Sequence, residues 1–224
     1  MSNETDHYSN LSDQLVKHES DRGAVLVGIA VIDENLELLL RATFSQNDAG
    51  AKQSVETLFA ANGPLNTFWA KCHFACALGL LPRCLFSDLD KMRRLRNRFA
   101  HQRTSVDFND KEVKEIVDSI SVANSYRQKL KGKIYKMSQP SPKAFTAELR
   151  ILESGYIKYS KGCFAICVIE AVAYMEMATS FLKKGGLELA RVLSEKCRHG
   201  YSVTSRLEHL KKTQLRTKVG TSIV

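Results

Sequence analysis

The chain has 224 residues, of which 44% are hydrophobic and 25% are charged, and its formal net charge is +9 at pH 7. This composition excludes a disordered chain, because there is ample apolar surface to bury, and six cysteines are too few for a disulfide-rich secreted scaffold. The positive surplus favours a polyanionic partner such as RNA, DNA or an acidic protein surface.

The sequence predicts a cytoplasmic protein with no membrane span. Its first six residues are polar and acidic, so no secretory signal is visible, and we expect the cysteines to be reduced thiols. One apolar run, residues 162–182, is long enough to cross a bilayer. Glu170 and Glu176 lie inside it, and a carboxylate at mid-bilayer is costly. We therefore expect this run to be a buried core helix.

The first half of the chain reads as helices separated by polar breaks. Apolar residues recur at three- and four-residue steps over residues 20–44, which predicts a helix. A polar loop is expected at 46–52, then a short helical segment at 55–61 that is stopped by the Asn-Gly-Pro break at 62–64. Residues 65–80 form an apolar stretch that predicts another helix.

Two capping signals follow. Ser87 is expected to cap a helix that runs to about His101, with Asp88 near the positive end of that helix. Asn109 stands three residues before Glu112, which resembles a capping box that opens the next helix.

The second half of the chain is dominated by one long helical pattern. It runs from about residue 143 to 184, with Gly155 as a kink, and the glycine pair at 185–186 is expected to end it. The tail beyond is basic. We predict an all-α bundle of about six to eight helices over residues 1–186 and a basic C-terminal extension over residues 187–224.

The chemistry of the chain is concentrated in residues 91–101, KMRRLRNRFAH, which hold five Lys or Arg, one His and no acid. Arginine binds phosphate through paired hydrogen bonds, and histidine exchanges a proton near neutral pH. Arg96, Asn97 and His101 are therefore candidates for metal-free RNA cleavage. On a regular helix Arg96 and His101 point about 140° apart. They converge through the length of arginine, through an early helix end or, most economically, through a homodimer.

Residues 96–101, RNRFAH, resemble the Arg-Asn-x-x-Ala-His motif of the HEPN superfamily. The resemblance implies an all-helical, commonly dimeric, metal-independent endoribonuclease with the motif at the dimer interface. Arg96 and His101 would then be catalytic, and Asn97 would orient them.

A second resemblance covers more of the chain, about residues 20–184. The segments that carry it are 24–44, 55–58, 63–65, 77–81, the arginine-to-histidine segment and the apolar helix after Gly155. Together they resemble the mannitol operon repressor family, which implies an all-helical transcriptional regulator without a helix-turn-helix that acts through protein or nucleic-acid contacts. The basic tail after Gly186 departs from the pattern of that family.

A further set of cations is a candidate nucleic-acid surface. The stretch 119–147 has no acid and contains interleaved tyrosines, which suits a nucleic-acid backbone, although an exposed connector has the same composition. The candidate nucleic-acid-binding residues are Arg93, Arg94, Arg98, Lys129, Lys131, Lys133 and Lys136.

Other candidate sites are weaker. Two cysteine pairs spaced by four, at 72 and 76 and at 163 and 167, have the ligands for zinc, but cysteine packs well in cores and we predict no metal and no cofactor. Glu34 and Glu37 either orient the basic motif or face water, and the second is favoured.

Two hypotheses of different kinds emerge from the sequence. The first is a regulator resembling the mannitol operon repressor, and the second is a HEPN-type ribonuclease that acts as a toxin or defence effector.

Overall fold

The computed structural model describes residues 2–44, 49–101, 106–124 and 160–197. Every regular element in these ranges is helical, and the predicted all-α fold is confirmed. The elements are α1 (Ser2–Asp13), a π-helical turn (Gln14–His18), α2 (Asp21–Arg41), α3 (Ala49–Phe59), α4 (Phe68–Ala77), α5 (Arg83–His101), α6 (Lys111–Ser119) and α7 (Ser160–Lys196).

The centre of the bundle is the contact between α2 and α7. The core side chains of α7 include Phe164 and Val168, both fully buried. Gly28 of α2 permits the close approach, because a Cβ atom at this position would lie 2.9 Å from Cγ2 of Val168 and 3.0 Å from the ring of Phe164. A larger residue at position 28 therefore requires Val168 and Phe164 to shift.

The same helix is the one in the described ranges that is long and apolar enough to cross a membrane, over Ser160–Lys184. Its most apolar window is 61% buried by the rest of the protein. Glu170 within it is also buried, with 1% of its surface exposed. A core helix meets the same criteria of length and composition as a membrane span, and this packing agrees with the predicted core helix.

The helix predicted from the apolar periodicity of residues 20–44 is present as α2. Ser20 is its N-cap, and its side-chain oxygen accepts a hydrogen bond from Gly23 N at 3.0 Å. Val25, Ile29 and Ile32 are among its buried residues, as the periodicity predicts. Other faces of α2 contact α4 and α5, so α2 joins most of the bundle.

Several predicted boundaries are wrong, and the first two concern α3 and α5. Residues 49–52 belong to α3 rather than to a loop. Ser87 is not an N-cap, because α5 begins at Arg83 directly after Pro82, whose carbonyl accepts the Phe86 N–H at 3.0 Å. Proline has no N–H group to donate, but the N–H groups at the start of a helix have no partner within the helix. A helix can therefore begin directly after Pro82 without losing a hydrogen bond.

The third concerns α6, whose N-cap is Asp110 rather than Asn109. The Asp110 side chain caps no helical N–H; instead, its carboxylate accepts a hydrogen bond from Asp107 N at 3.1 Å. The predicted capping box is therefore not formed.

The glycine pair near the end of α7 interrupts the helix rather than ending it. Gly186 has φ 69°, in the left-handed region that favours glycine, and the helix then resumes to Lys196. Ala190 and Leu193 beyond the break are buried, and Arg191 Nε donates to the Leu78 carbonyl at 2.9 Å. The predicted kink at Gly155 and residues 198–224 lie outside the described residues, and the domain boundary at residue 186 stays a prediction.

An ion-pair network that includes a buried lysine joins three helices. Lys71 of α4 is 4% exposed and pairs with two carboxylates of α2, Asp33 at 3.0 Å and Glu37 at 2.8 Å. Arg41 extends the network from Glu37 to Glu56 of α3, each at 2.8 Å. Burial alone would raise the pKa of Glu37, but hydrogen bonds from Lys71 and Arg41 outweigh it and the pKa is lowered.

We expect Lys71→Met to lower the free energy of unfolding by about 2 kcal/mol at pH 7, because it leaves two carboxylates without their buried partner while their partial exposure limits the cost. A carboxyl whose pKa is lowered on folding adds stability only while it is ionised. The loss should therefore shrink as the pH falls below the ordinary glutamate pKa of 4.5. Urea denaturation at neutral and acidic pH measures it.

The matched control is Lys52→Met, since Lys52 is an exposed lysine on α3. It should change the free energy of unfolding by less than about 0.5 kcal/mol. A Lys71→Met loss that is as small as the control, or that does not vary with pH, would contradict the role given to this network.

Candidate functional site

The candidate site lies on α5, which is amphipathic. Its buried side is apolar, with residues spaced by three and four positions, so the opposite side faces solvent. That periodicity fixes which cations of residues 91–101 are accessible. The buried apolar side chains are Leu85, Leu89, Met92, Leu95 and Phe99.

The three predicted catalytic residues lie at the end of this helix and are only partly brought together. Arg96 and His101 are exposed, and Asn97 is half-buried. Arg96 Nη1 donates to Asn97 Oδ1 at 3.4 Å. No contact joins Arg96 to His101 in the described part of the chain, which agrees with their wide separation around a regular helix. Their catalytic role stays a prediction.

Several chain segments meet around the end of α5. Arg22, in the first turn of α2, donates to the carbonyl of Ala100 at 3.0 Å and so satisfies one of the open carbonyls of α5. Asp21 accepts from Phe108 N at 2.9 Å and pairs with Lys161 of α7 at 3.1 Å. The end of α5 is thereby fixed to the beginnings of α2 and α7.

Most cations of the basic run are neutralised by acids that lie outside it. Asp90 accepts from Arg93 at 2.7 Å and from Arg94 at 2.6 Å. Arg98 pairs with Glu112 of α6. Lys91 also has an ion pair, and among the described residues only Arg96 of the five cations has none. The nucleic-acid role of Arg93, Arg94 and Arg98 stays a prediction, and Lys129, Lys131, Lys133 and Lys136 lie outside the described residues.

Sequence reasoning missed the role of Asp88, which it placed as a charge near a helix end. Asp88 is fully buried. Its carboxylate accepts hydrogen bonds from Ser121 N at 3.0 and 3.1 Å and from Ser121 Oγ at 3.1 Å, and it pairs with Lys91 at 3.0 Å. Lys91 also donates to the carbonyl of Ser119 at 2.6 Å. These bonds hold the chain after α6 against the first half of α5.

A half-exposed aromatic cluster joins α4 to α5. Trp69 stacks on Phe86 with a centroid separation of 5.2 Å, and the guanidinium of Arg93 lies 4.7 Å from the Trp69 ring centroid. His73 contacts both rings edge-on, at 4.5 Å from Trp69 and 5.1 Å from Phe86. Trp69 is only partly buried.

The remaining candidate residues have structural roles. All six cysteines are free, and burial raises the pKa of the Cys72 and Cys167 thiols, which is unfavourable for metal binding or nucleophilic attack. Within the ranges described, no group of three or more His, Cys, Asp or Glu could hold a metal ion. Glu37 pairs with Lys71 and Arg41 rather than with the basic motif, and Glu34 is exposed.

Comparison with solved structures shows the same fold in two proteins. One is described as the X-ray structure of the MtlR-HPr complex from Escherichia coli, with a TM-score of 0.56 and 17% identity. The other is a possible transcriptional regulator, YggD, from Shigella flexneri 2a, with a TM-score of 0.58 and 15% identity. Each match covers 75% of this chain and 97% of the other.

Sequence comparison gives the family. The mannitol operon repressors of Escherichia coli strains K12 and O6:H1 are each 25% identical over 92 residues, 41% of this chain. The chain thus spans about half of the length of these curated relatives, 47%. A family model described as mannitol repressor matches residues 7–155, more than half of the chain. The chain belongs to the mannitol repressor family.

Proposed function

We propose that this protein is a bacterial cytoplasmic transcriptional regulator that acts by binding partners rather than by catalysis. Its family supports the regulatory role. The observation that supports a non-catalytic mode is the state of the basic helix: Arg93, Arg94 and Arg98 are in ion pairs, and Arg96 does not contact His101 in the part of the chain described.

The mode of action we propose is contact with a protein or nucleic acid without a helix-turn-helix. One structural neighbour was solved as a complex with HPr, which supports a protein as the partner here as well. A nucleic acid is the alternative partner, because the chain has a net charge of +9. Neither proposal requires a cofactor.

A second candidate is a HEPN-type, metal-independent endoribonuclease, a toxin or defence effector. It is supported by the exposure of His101 and by an Arg96 guanidinium that is bonded to Asn97 and to no carboxylate among the described residues. In a homodimer, the most economical of the arrangements that bring the two side chains together, Arg96 of one copy would meet His101 of the other. The 2′-hydroxyl of RNA would then attack phosphorus and expel the 5′-oxygen, leaving a 2′,3′-cyclic phosphate.

The His101→Ala variant separates the two candidates. We expect deletion of the gene to change a small set of transcripts, and we expect the variant to restore them as wild type does, because an exposed imidazole contributes little to the fold. RNA sequencing of the deletion strain carrying wild type, His101→Ala or empty vector measures this. The matched control is His18→Ala, which removes an exposed histidine from the π-helical turn Gln14–His18, outside every candidate site.

The second measurement is an RNA cleavage assay with the purified proteins. RNA incubated in EDTA with wild type should remain intact. Cleavage that leaves 2′,3′-cyclic ends with wild type and His18→Ala, and that disappears with His101→Ala, would overturn the regulator and establish the ribonuclease. If His101→Ala fails to restore the transcripts although wild type cleaves no RNA, His101 takes part in regulation. That result would contradict the expectation that this exposed histidine is dispensable.

A further inference from the structure

The solvent face of α5 joins the aromatic cluster in one surface, which we call the aromatic–arginine patch and define as Trp69, His73, Arg83, Phe86, Arg93 and Arg94. Positions 83, 86, 90, 93 and 94 follow one another at helical spacing, so their side chains share one face of α5. Arg83 and His73 are exposed, the Arg94 side chain is 67% exposed, and the remaining members are half-buried.

The rings of the patch are fixed before any partner binds. Phe86 and Arg93 are seven residues apart, about 10.5 Å along the helix axis. The Trp69 centroid lies 5.2 Å from the Phe86 centroid and 4.7 Å from the Arg93 guanidinium, so the indole contacts both. His73 also contacts the Trp69 ring, and only the part of the ring that these three side chains leave exposed remains for a partner. Nucleobases bind proteins mainly by stacking on a free ring face.

The charge of the patch is positive and held in place. Asp90, 17% exposed, accepts from both Arg93 and Arg94. Burial alone would raise the pKa of the Asp90 carboxyl, but the two arginines outweigh it and the pKa is lowered. Asp90 thus balances Arg93 and Arg94, and Arg83 adds a third guanidinium group that has no ion pair within the described chain. A pre-positioned guanidinium loses less side-chain entropy when it binds a carboxylate.

We propose that the aromatic–arginine patch is the docking surface for an acidic protein segment. Carboxylates of the segment pair with Arg83 and Arg94, and an apolar or aromatic side chain covers the edges of Trp69 and Phe86. Tryptophan and arginine are the residues most enriched where protein interfaces concentrate their binding energy. A second copy of this chain fits poorly, because pairing the patch with itself sets arginine against arginine. The inference rests on the proposed function, a regulator that acts through protein contacts.

The test uses full-length protein and a fluorescent random copolymer of glutamate and tyrosine, compared with polyglutamate and with an oligouridylate RNA of similar charge. The patch variant is Arg83→Glu with Arg94→Glu. The control variant is Lys111→Glu with Lys114→Glu, two exposed lysines of α6 that give the same change in net charge. Circular dichroism verifies that both variants fold. Binding is followed by fluorescence anisotropy.

We expect wild type to bind the copolymer more tightly than polyglutamate or RNA, and we expect the patch variant to weaken copolymer binding by about tenfold or more while the control changes it about twofold. Equal losses in both variants would show general charge attraction and overturn the proposal. Tighter binding of RNA, lost in the patch variant, would assign the patch to nucleic acid instead.

Failure of the patch and failure of the proposed function give different results. If the copolymer binds wild type and the patch variant equally while transcripts still depend on the gene, the proposed docking surface is wrong and the proposed regulatory function stands. If the gene controls no transcripts, the regulatory function itself is wrong, whatever the copolymer does.

Discussion

The contact between α2 and α7 is the constraint on which the other helices depend. Gly28 lets the two helices approach, because Val168 and Phe164 occupy the space that a side chain at position 28 would need. Most of the apolar surface of α7 is buried inside the protein. The other faces of α2 are then available to α4 and α5. This arrangement gives α5 one buried and one exposed face, and the exposed face carries the functional candidates.

Ion pairs and hydrogen bonds then fix the helices and most of the cations on the exposed face of α5. Lys71 joins α4 to α2, and Asp88 joins α5 to the chain that follows α6. Asp90 holds two arginines and Glu112 holds a third, so most of the cations are positioned by the fold. Most charges of this helix therefore have a fixed geometry, which supports the recognition role that we propose, and no contact joins Arg96 to His101 in the described residues.

Much of the fold follows from local patterns, and most of the site does not. The apolar spacing of α2 and α5 is predictable because burial repeats at the helical period. The partners of Asp88 and Arg98, by contrast, are brought close by folding: Ser121 lies 33 residues away, and Glu112 lies in α6. Residues 91–101 therefore read as acid-free although acids surround them. The predicted cap at Ser87 failed because Pro82 starts the helix earlier.

The central claim, that the protein itself buries α7, is tested most directly by amide hydrogen exchange followed by mass spectrometry in detergent-free buffer. We expect peptides from residues 163–178 to exchange more slowly than peptides from α3, because the α7 side chains in this range are mostly buried and those of α3 are mostly exposed. Rapid exchange of residues 163–178 in buffer, with protection appearing only after lipid vesicles are added, would contradict it.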